Sequence, residues 1–275
     1  MRSTHLVRRA ADELERHAID SPRATAEILL AHVLGTDRAG VYSGVPTPTP
    51  EQELAFDVAV QRRCSGAPLQ YLTGEQAFRR LTLEVHPGVF IPRPETELLV
   101  EAALGLLEAA SRPLVVDVGT GTGAIALAIA DERPDAIVVA TDLSPAAVSL
   151  ARRNADRLGL RIDVRSGDLL EPVRGSAGRI DLVVSNPPYV RADRMDDLPA
   201  EVRSEPELAL AGDVGLYERL ALEAANVLRP GGGIAVEIAE DLAKDVAEVM
   251  GESFADVSVL RDLARRERFV LGRRA

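Results

Sequence analysis

Leu114-Val115-Val116-Asp117-Val118-Gly119-Thr120-Gly121-Thr122-Gly123 decides the fold of this chain. A β-branched apolar run breaks into alternating glycines and then enters the apolar helical stretch Ala124 to Ala130. That pattern is the first βα turn of a nucleotide-binding α/β domain, where missing side chains let a ligand approach the backbone at a helix N-terminus. The spacing is Gly-x-Gly-x-Gly, not the Gly-x-Gly-x-x-Gly of dinucleotide binders, and an acidic Asp117 lies just before it. No phosphate-binding lysine follows, since the only lysine is Lys244, which argues against a P-loop. Asp117, Gly119, Thr120, Gly121, Thr122 and Gly123 are therefore candidate ligand-binding residues.

Working outward, Ile137-Val138-Val139-Ala140-Thr141 reads as the next strand and ends in Asp142. A carboxylate there, about 20 residues beyond the glycines, is placed to accept both ribose hydroxyls of an adenosine-bearing cofactor. A solvated loop carboxylate is the plainer alternative. Ser144-Pro145 supplies an N-cap and first turn for a helix from Ala146 to Leu158. A third short strand around Arg161 to Val164 leads to Gly167-Asp168-Leu169. There Asp168 faces an adenine amino group and Leu169 the ring, or the segment is a plain turn.

Ile180-Asp181-Leu182-Val183-Val184-Ser185 is a further buried strand and runs straight into Asn186-Pro187-Pro188-Tyr189. Two prolines fix φ and remove two N–H donors, so the carbonyls of Pro187 and its neighbours face outward with little freedom. The Asn186 oxygen can accept one hydrogen of a planar amino group and a main-chain carbonyl the other, with Tyr189 as a wall. Such a cup suits a conjugated nitrogen that must be held in line with an electrophile. A strand end closed by a proline turn is the bland reading, and the glycine turn upstream counts against it.

The chain has 275 residues, of which 46% are hydrophobic, ample for a large core. No segment reaches the roughly 18 apolar residues that span a bilayer. The polar start Met1-Arg2-Ser3-Thr4-His5, soon followed by Asp12, Glu13 and Glu15, resembles no leader. One cysteine, Cys64, excludes an internal disulfide and fits a reducing, cytoplasmic setting. His5, His17, His32 and His86 lack metal-ligand spacing, so no metal is expected. A net charge of −11 disfavours affinity built on nucleic-acid phosphates and suits a basic protein partner.

Residues 1–70 read as a small helical domain. Leu6, Val7, Ala10, Ala11, Leu14 and Ala18 keep helical spacing, and Ser21-Pro22 opens a second helix that stops at Gly35. The stretch Gly35 to Pro50 reads as a loop, and Thr49-Pro50-Glu51-Gln52 as a capping box for a third helix ending near Cys64. Residues 71–91 read as a β-hairpin linker, from the alternation of Leu81, Leu83 and Val85 with Gln76 to Arg79 as partner. From residue 92 to 275, Pro94-Glu95 opens a long helix, after which strands and helices alternate. That is the pattern of a doubly wound α/β sheet. The long polar segment between Tyr189 and Ala211 reads as a lid or recognition loop, with disorder as the plainer alternative; Leu208, Ala209 and Leu210 argue that part of it packs down.

Together these residues resemble the class I S-adenosylmethionine-dependent methyltransferases, and more narrowly the HemK-type family that methylates a glutamine side-chain nitrogen in peptide chain release factors. The resemblance covers nearly the whole chain. It includes Pro68-Leu69-Gln70-Tyr71-Leu72-Thr73-Gly74, Val89-Phe90-Ile91-Pro92-Arg93-Pro94-Glu95-Thr96-Glu97, the Glu201 to Leu210 segment, and Arg261-Asp262-Leu263 with Arg268-Phe269-Val270. The Pro-Arg-Pro-Glu-Thr-Glu segment discriminates it from methyltransferases in general. Two departures stand out: Leu169 where an aromatic often follows Asp168, and Ile238-Ala239-Glu240-Asp241 after Glu237 where a Gly and a Gln are usual.

The resemblance implies a mostly parallel, seven-stranded sheet with an antiparallel last hairpin, and gives residues 1–70 the task of gripping the protein substrate. A packing appendage is the alternative for that domain. It further implies S-adenosyl-L-methionine as cofactor and the GGQ-loop glutamine of class 1 release factors as substrate, for a monomer that needs neither nucleic acid nor membrane. Asn186, Pro187, Pro188 and Tyr189 become the catalytic candidates. Asp117, the glycine turn, Asp142, Asp168, Leu169 and Asn186 become the cofactor-binding ones. Arg93 orders the cofactor mouth or makes a structural ion pair. The rival functions are an amino-group methyltransferase acting on adenine in nucleic acid and a non-catalytic cofactor-binding sensor on the same fold.

Overall fold

The computed structural model describes residues 2–44 and 46–275. It divides into two compact units, residues 1–75 with 198–204, and residues 76–197 with 205–275.

The first unit is helical: α1 (Arg2–Arg16), α2 (Pro22–Leu34), α3 (Arg38–Ser43), α4 (Pro50–Cys64) and α5 (Leu69–Thr73). Leu6, Val7, Ala10 and Leu14 of α1 meet Ala26, Leu29 and Leu30 of α2 and Phe56 and Val60 of α4 in one core, the stripe their spacing predicts. Thr49 and Gln52 form the expected capping box at the start of α4, each side chain taking the other's backbone N–H.

The stretch from Gly35 to Pro50 is not all loop, because α3 lies within it. Its cause is the buried carboxylate of Glu27, which gathers Arg23 from α2 and both Arg38 and Tyr42 from α3. Polar residues on a short segment carry no apolar period to announce such a helix. Glu13 on α1, His17 just beyond its end, and Cys64 at the end of α4 bring their ligand atoms within 4.8 Å of one another. The linear spacing of the histidines and the cysteine concealed this grouping. Arg63 reaches Glu201 at 2.6 Å and ties the 198–204 segment to α4.

The second unit opens with a hairpin, β1 (Glu75–Phe78) and β2 (Leu81–Glu84), whose Phe78, Leu81 and Leu83 are buried in its core. Then follow α6 (Thr96–Leu106), β3 (Leu114–Val118), α7 (Ala124–Glu132), β4 (Ile137–Asp142), α8 (Pro145–Leu158), β5 (Asp163–Ser166) and β6 (Ile180–Ser185). Two short helices interrupt the long polar segment, α9 (Ala200–Arg203), which belongs to the first unit, and α10 (Glu207–Leu210). The chain ends with α11 (Val214–Val227), β7 (Leu228–Glu237), α12 (Ala243–Ser253), β8 (Ala255–Arg261) and β9 (Glu267–Arg273).

The seven strands lie in the order β5-β4-β3-β6-β7-β9-β8. All are parallel except β9, which runs against both its neighbours and makes the last hairpin antiparallel, as expected. Successive strand residues face opposite layers. Val115, Leu182 and Val184 pack under α6, α7 and α8, whereas Val116, Val118 and Val183 pack under α11 and α12. The near-continuous valine runs are therefore what a sheet covered on both faces requires.

From β3 the chain first winds outward to β4 and β5, then returns to lay β6 on the other side of β3. The carboxyl ends of β3 and β6 thus flank the switch point, the crevice where open α/β sheets bind ligands. Val118 is level with Thr141 and Ser185, and Ser185 with Val236, so the residues that follow reach one edge together.

Candidate active site

At that edge the glycine turn is fixed from below. Gly119 and Thr120 both donate their N–H to the Thr141 carbonyl, at 2.9 and 3.0 Å. Asp117 is fully buried, and its Oδ2 accepts the Thr120 hydroxyl at 2.6 Å and the Ala126 N–H at 3.1 Å, joining the turn to the first turn of α7. Its other oxygen, Oδ1, has no partner, nor does the buried Thr122 Oγ1. Burial pushes the Asp117 carboxyl up to about 7, against the pull of those two donors. Gly123 caps α7 at φ +86°, and a Cβ there would press on Leu127 and Ala151 at 3.0 and 3.3 Å, so glycine is required both for conformation and for the seating of α8.

Asp142 ends β4 with both oxygens aimed at backbone donors, Oδ2 at Gly121 N and Oδ1 at Ser144 N, each at 2.8 Å. It therefore braces the glycine turn. Each oxygen keeps a second lone pair for a further donor. Burial raises this carboxyl as well. Beside it lies a cavity of about 540 Å³ lined by Gly119, Asp142, Leu169, Pro187 and Pro188 among others, within the size range of small-molecule sites. Leu169 takes a left-handed backbone, φ +44°, and its carbonyl accepts the Thr141 hydroxyl at 2.9 Å. Asp168 is paired with Arg219, itself a lining residue, so its carboxylate meets a guanidinium and not an open cavity.

Asn186, Thr96, Glu237 and Tyr189 make a second group next to the first. Asn186 Nδ2 donates to Thr96 Oγ1 at 3.1 Å, and Thr96 Oγ1 donates to Glu237 Oε2 at 2.8 Å. The Tyr189 hydroxyl reaches Glu237 Oε1 at 3.4 Å, and the Tyr217 hydroxyl donates to the Glu237 carbonyl at 2.9 Å. Ser185 Oγ donates to the Val118 carbonyl at 2.8 Å and pins the end of β6 to β3. Arg93 is engaged structurally: it pairs with the buried Glu205, which also accepts the Ile91 N–H at 2.9 Å, and its guanidinium lies 4.7 Å from the Phe90 ring centre. After Glu237 a short 3-10 turn, Glu240–Leu242, leads into α12 without a side-chain cap.

Thr96 and Glu237 escaped the sequence reading as site residues, although Thr96 lies in a segment that carried the resemblance and Glu237 directly precedes one of its departures. A carboxylate ending a buried strand was the available signal. Gly212 escaped it too. A Cβ on Gly212 would fall 1.9 Å from the Pro188 carbonyl oxygen, while Gly212 N donates to the Val190 carbonyl at 2.9 Å. Gly212→Ala is therefore expected to displace the proline turn and to lower turnover at least about tenfold, a barrier change of about 1.4 kcal/mol. Unchanged turnover would mean that the turn yields freely.

Residues 5–74 match the family model described as PrmC N-terminal domain, and residues 80–201 that of the methyltransferase small domain. A release factor glutamine methyltransferase of Moorella thermoacetica is 42% identical over 279 residues, which cover 96% of this chain and 96% of that protein. One from Deinococcus radiodurans is 42% identical over 280 residues, covering 100% of this chain and 99% of that protein. A T. thermophilus 16S rRNA methyltransferase, solved with AdoMet and guanosine, shares the fold at a TM-score of 0.57 and 24% identity, covering 73% of this chain and 50% of its own. Identity of that level, sustained across both matched domains and nearly every residue, leads to one conclusion: the chain belongs to the release factor glutamine methyltransferase family.

Proposed function

We infer that this chain transfers a methyl group from S-adenosyl-L-methionine to the side-chain amide nitrogen of a glutamine in class 1 peptide chain release factors. The observation that carries the reading is Asn186-Pro187-Pro188-Tyr189 standing at the carboxyl end of β6, across the switch point from the glycine turn, in a member of this family. The cofactor, when bound, supplies an electrophilic methyl on a positively charged sulfur, so neither a metal nor a covalent enzyme intermediate is needed.

The residues present fit such a molecule. The cavity beside Gly119 and Asp142 is apolar at Leu169 and Pro187, as an adenosine needs, and ends in a carboxylate that can receive ribose hydroxyls. Two unpartnered buried oxygens, one on Asp117 of β3 and one on Thr122 of the glycine turn, suit the polar amino-acid end. Asp168 serves the adenine amino group only by leaving Arg219 or sharing with it.

On the substrate side, an amide nitrogen is a weak nucleophile, and the chain's task is to align it. Asn186 Oδ1 and the Pro187 carbonyl accept its hydrogens and stabilise the positive charge that builds on nitrogen as the new bond forms. Pro187 and Pro188 keep those acceptors from relaxing. Tyr189, held by Glu237, walls the glutamine stem. The helical unit grips the release factor, and a net charge of −11 suits a partner that is basic where it is modified. The enzyme acts as a cytoplasmic monomer without nucleic acid. Among the described residues no helix is long and apolar enough to cross a membrane.

The test is mass spectrometry of purified release factor after incubation with enzyme and cofactor. One added methyl group on a glutamine is expected; label from the cofactor appearing in nucleic acid, with none in protein, would reverse the reading. Asp142→Ala should weaken cofactor binding by about 1.5 to 3 kcal/mol, the range for a hydrogen bond to a charged group, as read by calorimetry. Parental affinity in that variant removes Asp142 from the ribose site.

A further inference from the structure

The two ends of the Asn186 side chain are nearly the same shape, yet one accepts and the other only donates. A turn that presented Nδ2 to an incoming amide would repel its hydrogens. Pro187 and Pro188 set the backbone and have no influence on which end faces out, so something else must choose.

We propose that Glu237 is a positioning residue: acting through the Thr96 hydroxyl, it locks the Asn186 amide with Nδ2 turned inward and Oδ1 turned toward the substrate. This rests on the methyl-transfer reading above. A carboxylate only accepts, so the single hydrogen of Thr96 Oγ1 is committed to Glu237 Oε2 at 2.8 Å. What remains on Oγ1 is lone pairs, and only the NH2 end of Asn186 can satisfy them, at 3.1 Å. The chain of hydrogen bonds therefore has a direction, and Glu237 sets it.

The same carboxylate takes the Tyr189 hydroxyl on Oε1, so it governs both flanks of the Pro-Pro pair. Thr96 and Glu237 are 3% and 1% exposed, which keeps water from offering either group an alternative partner. Glu237 is fixed in turn by Tyr217, whose hydroxyl holds its carbonyl. The three links come from separate elements, the start of α6, the end of β6 and the end of β7, so no local turn preference explains their meeting.

The direction of the chain is lost when Glu237 is protonated, since a carboxylic acid can donate to Thr96 and free its hydrogen for Asn186 Oδ1. Burial pushes the Glu237 carboxyl up to about 7, opposed by the Thr96 hydroxyl, by Arg268 on β9 and by Tyr189, with the charge of Glu95 adding to the rise. The active form is the ionised one, so activity should be full above that value and fall as pH drops through it.

The experiment measures kcat/KM, which reports groups of the free enzyme, against pH for the parent, Glu237→Gln, Thr96→Val and Thr96→Ser, with full-length release factor as substrate. Expected are an acid limb near pH 7 in the parent and in Thr96→Ser, at least a tenfold loss of kcat in Glu237→Gln and Thr96→Val, and loss of the limb in both. Cofactor affinity by calorimetry should stay within twofold throughout. A second readout needs no turnover: the Asn186 side-chain NH2 resonances of the parent should shift across the same pH range and stay still in Glu237→Gln.

Parental kcat and an intact acid limb in Glu237→Gln or in Thr96→Val would overturn the proposal. If Glu237→Gln fails to fold, the Thr96→Val and Thr96→Ser pair decides alone, since only the former breaks the chain. Failure of the parent itself to methylate release factor would instead bring down the functional reading on which the proposal stands.

Discussion

Asn186→Ala is expected to lower kcat by about 10²- to 10³-fold, about 3 to 4 kcal/mol in the barrier, the range seen when one charge-stabilising hydrogen bond is removed from a transition state. The effect should sit in kcat and not in cofactor binding. Asn186 is absent from the residues that line the cavity at Gly119 and Asp142, and its Nδ2 is bound inward to the buried Thr96. Its acceptor matters little while the amide nitrogen is neutral and much once the nitrogen becomes positive, which is the definition of an interaction that raises rate without tightening the ground state. The rest of the cup stays in place, because Pro187 and Pro188 hold the backbone independently of the side chain. Single-turnover methylation of release factor with saturating cofactor measures the chemical step, and calorimetry measures cofactor affinity. A fall in affinity that matched the fall in rate would move Asn186 from the acceptor cup to the cofactor site.

Much of this site could be read from the sequence because its backbone parts announce themselves. A valine run that ends in spaced glycines can hardly be anything but a strand entering a ligand-binding turn, and Pro-Pro after a buried strand can only stiffen its end. Side-chain partnerships are different. Thr96 and Glu237 are separated by 141 positions and meet only because α6 packs against β7. Asp168 reads as an adenine ligand or a plain turn, and no local signal announces the Arg219 of α11 that pairs with it. In the first unit, α3 arises from Arg38 and Tyr42 converging on one buried carboxylate, a cause invisible to any periodicity. Local chemistry was legible, and long-range pairing was not.

The carboxyl of Asp117 should make the protein less stable as pH rises, and Asp117→Asn should abolish that part of the slope. In the folded chain burial pushes this group up to about 7 from its ordinary 3.8, because Thr120 and Ala126 offer too few donors to offset full desolvation. The folded state therefore binds its proton more tightly than the unfolded state. The resulting stabilisation is complete below the ordinary value, shrinks as pH rises, and is gone above about 7. At about 1.4 kcal/mol per unit, the swing reaches at most about 4 kcal/mol.

Carboxyls held low by arginines, such as Asp135 beside Arg133, push stability the other way, but they are common to parent and variant and cancel in the difference. Urea unfolding at pH 5 and pH 8 should show the Asn variant gaining on the parent by about 2 to 3 kcal/mol between the two; an equal slope in both would mean that Asp117 is charged when folded. The same titration tests the cofactor site. If the amino group of S-adenosyl-L-methionine supplies the partner that Asp117 Oδ1 lacks, saturating cofactor must draw this carboxyl back down and flatten the parent's slope. A slope that cofactor leaves untouched would assign Asp117 to holding the glycine turn and to nothing else.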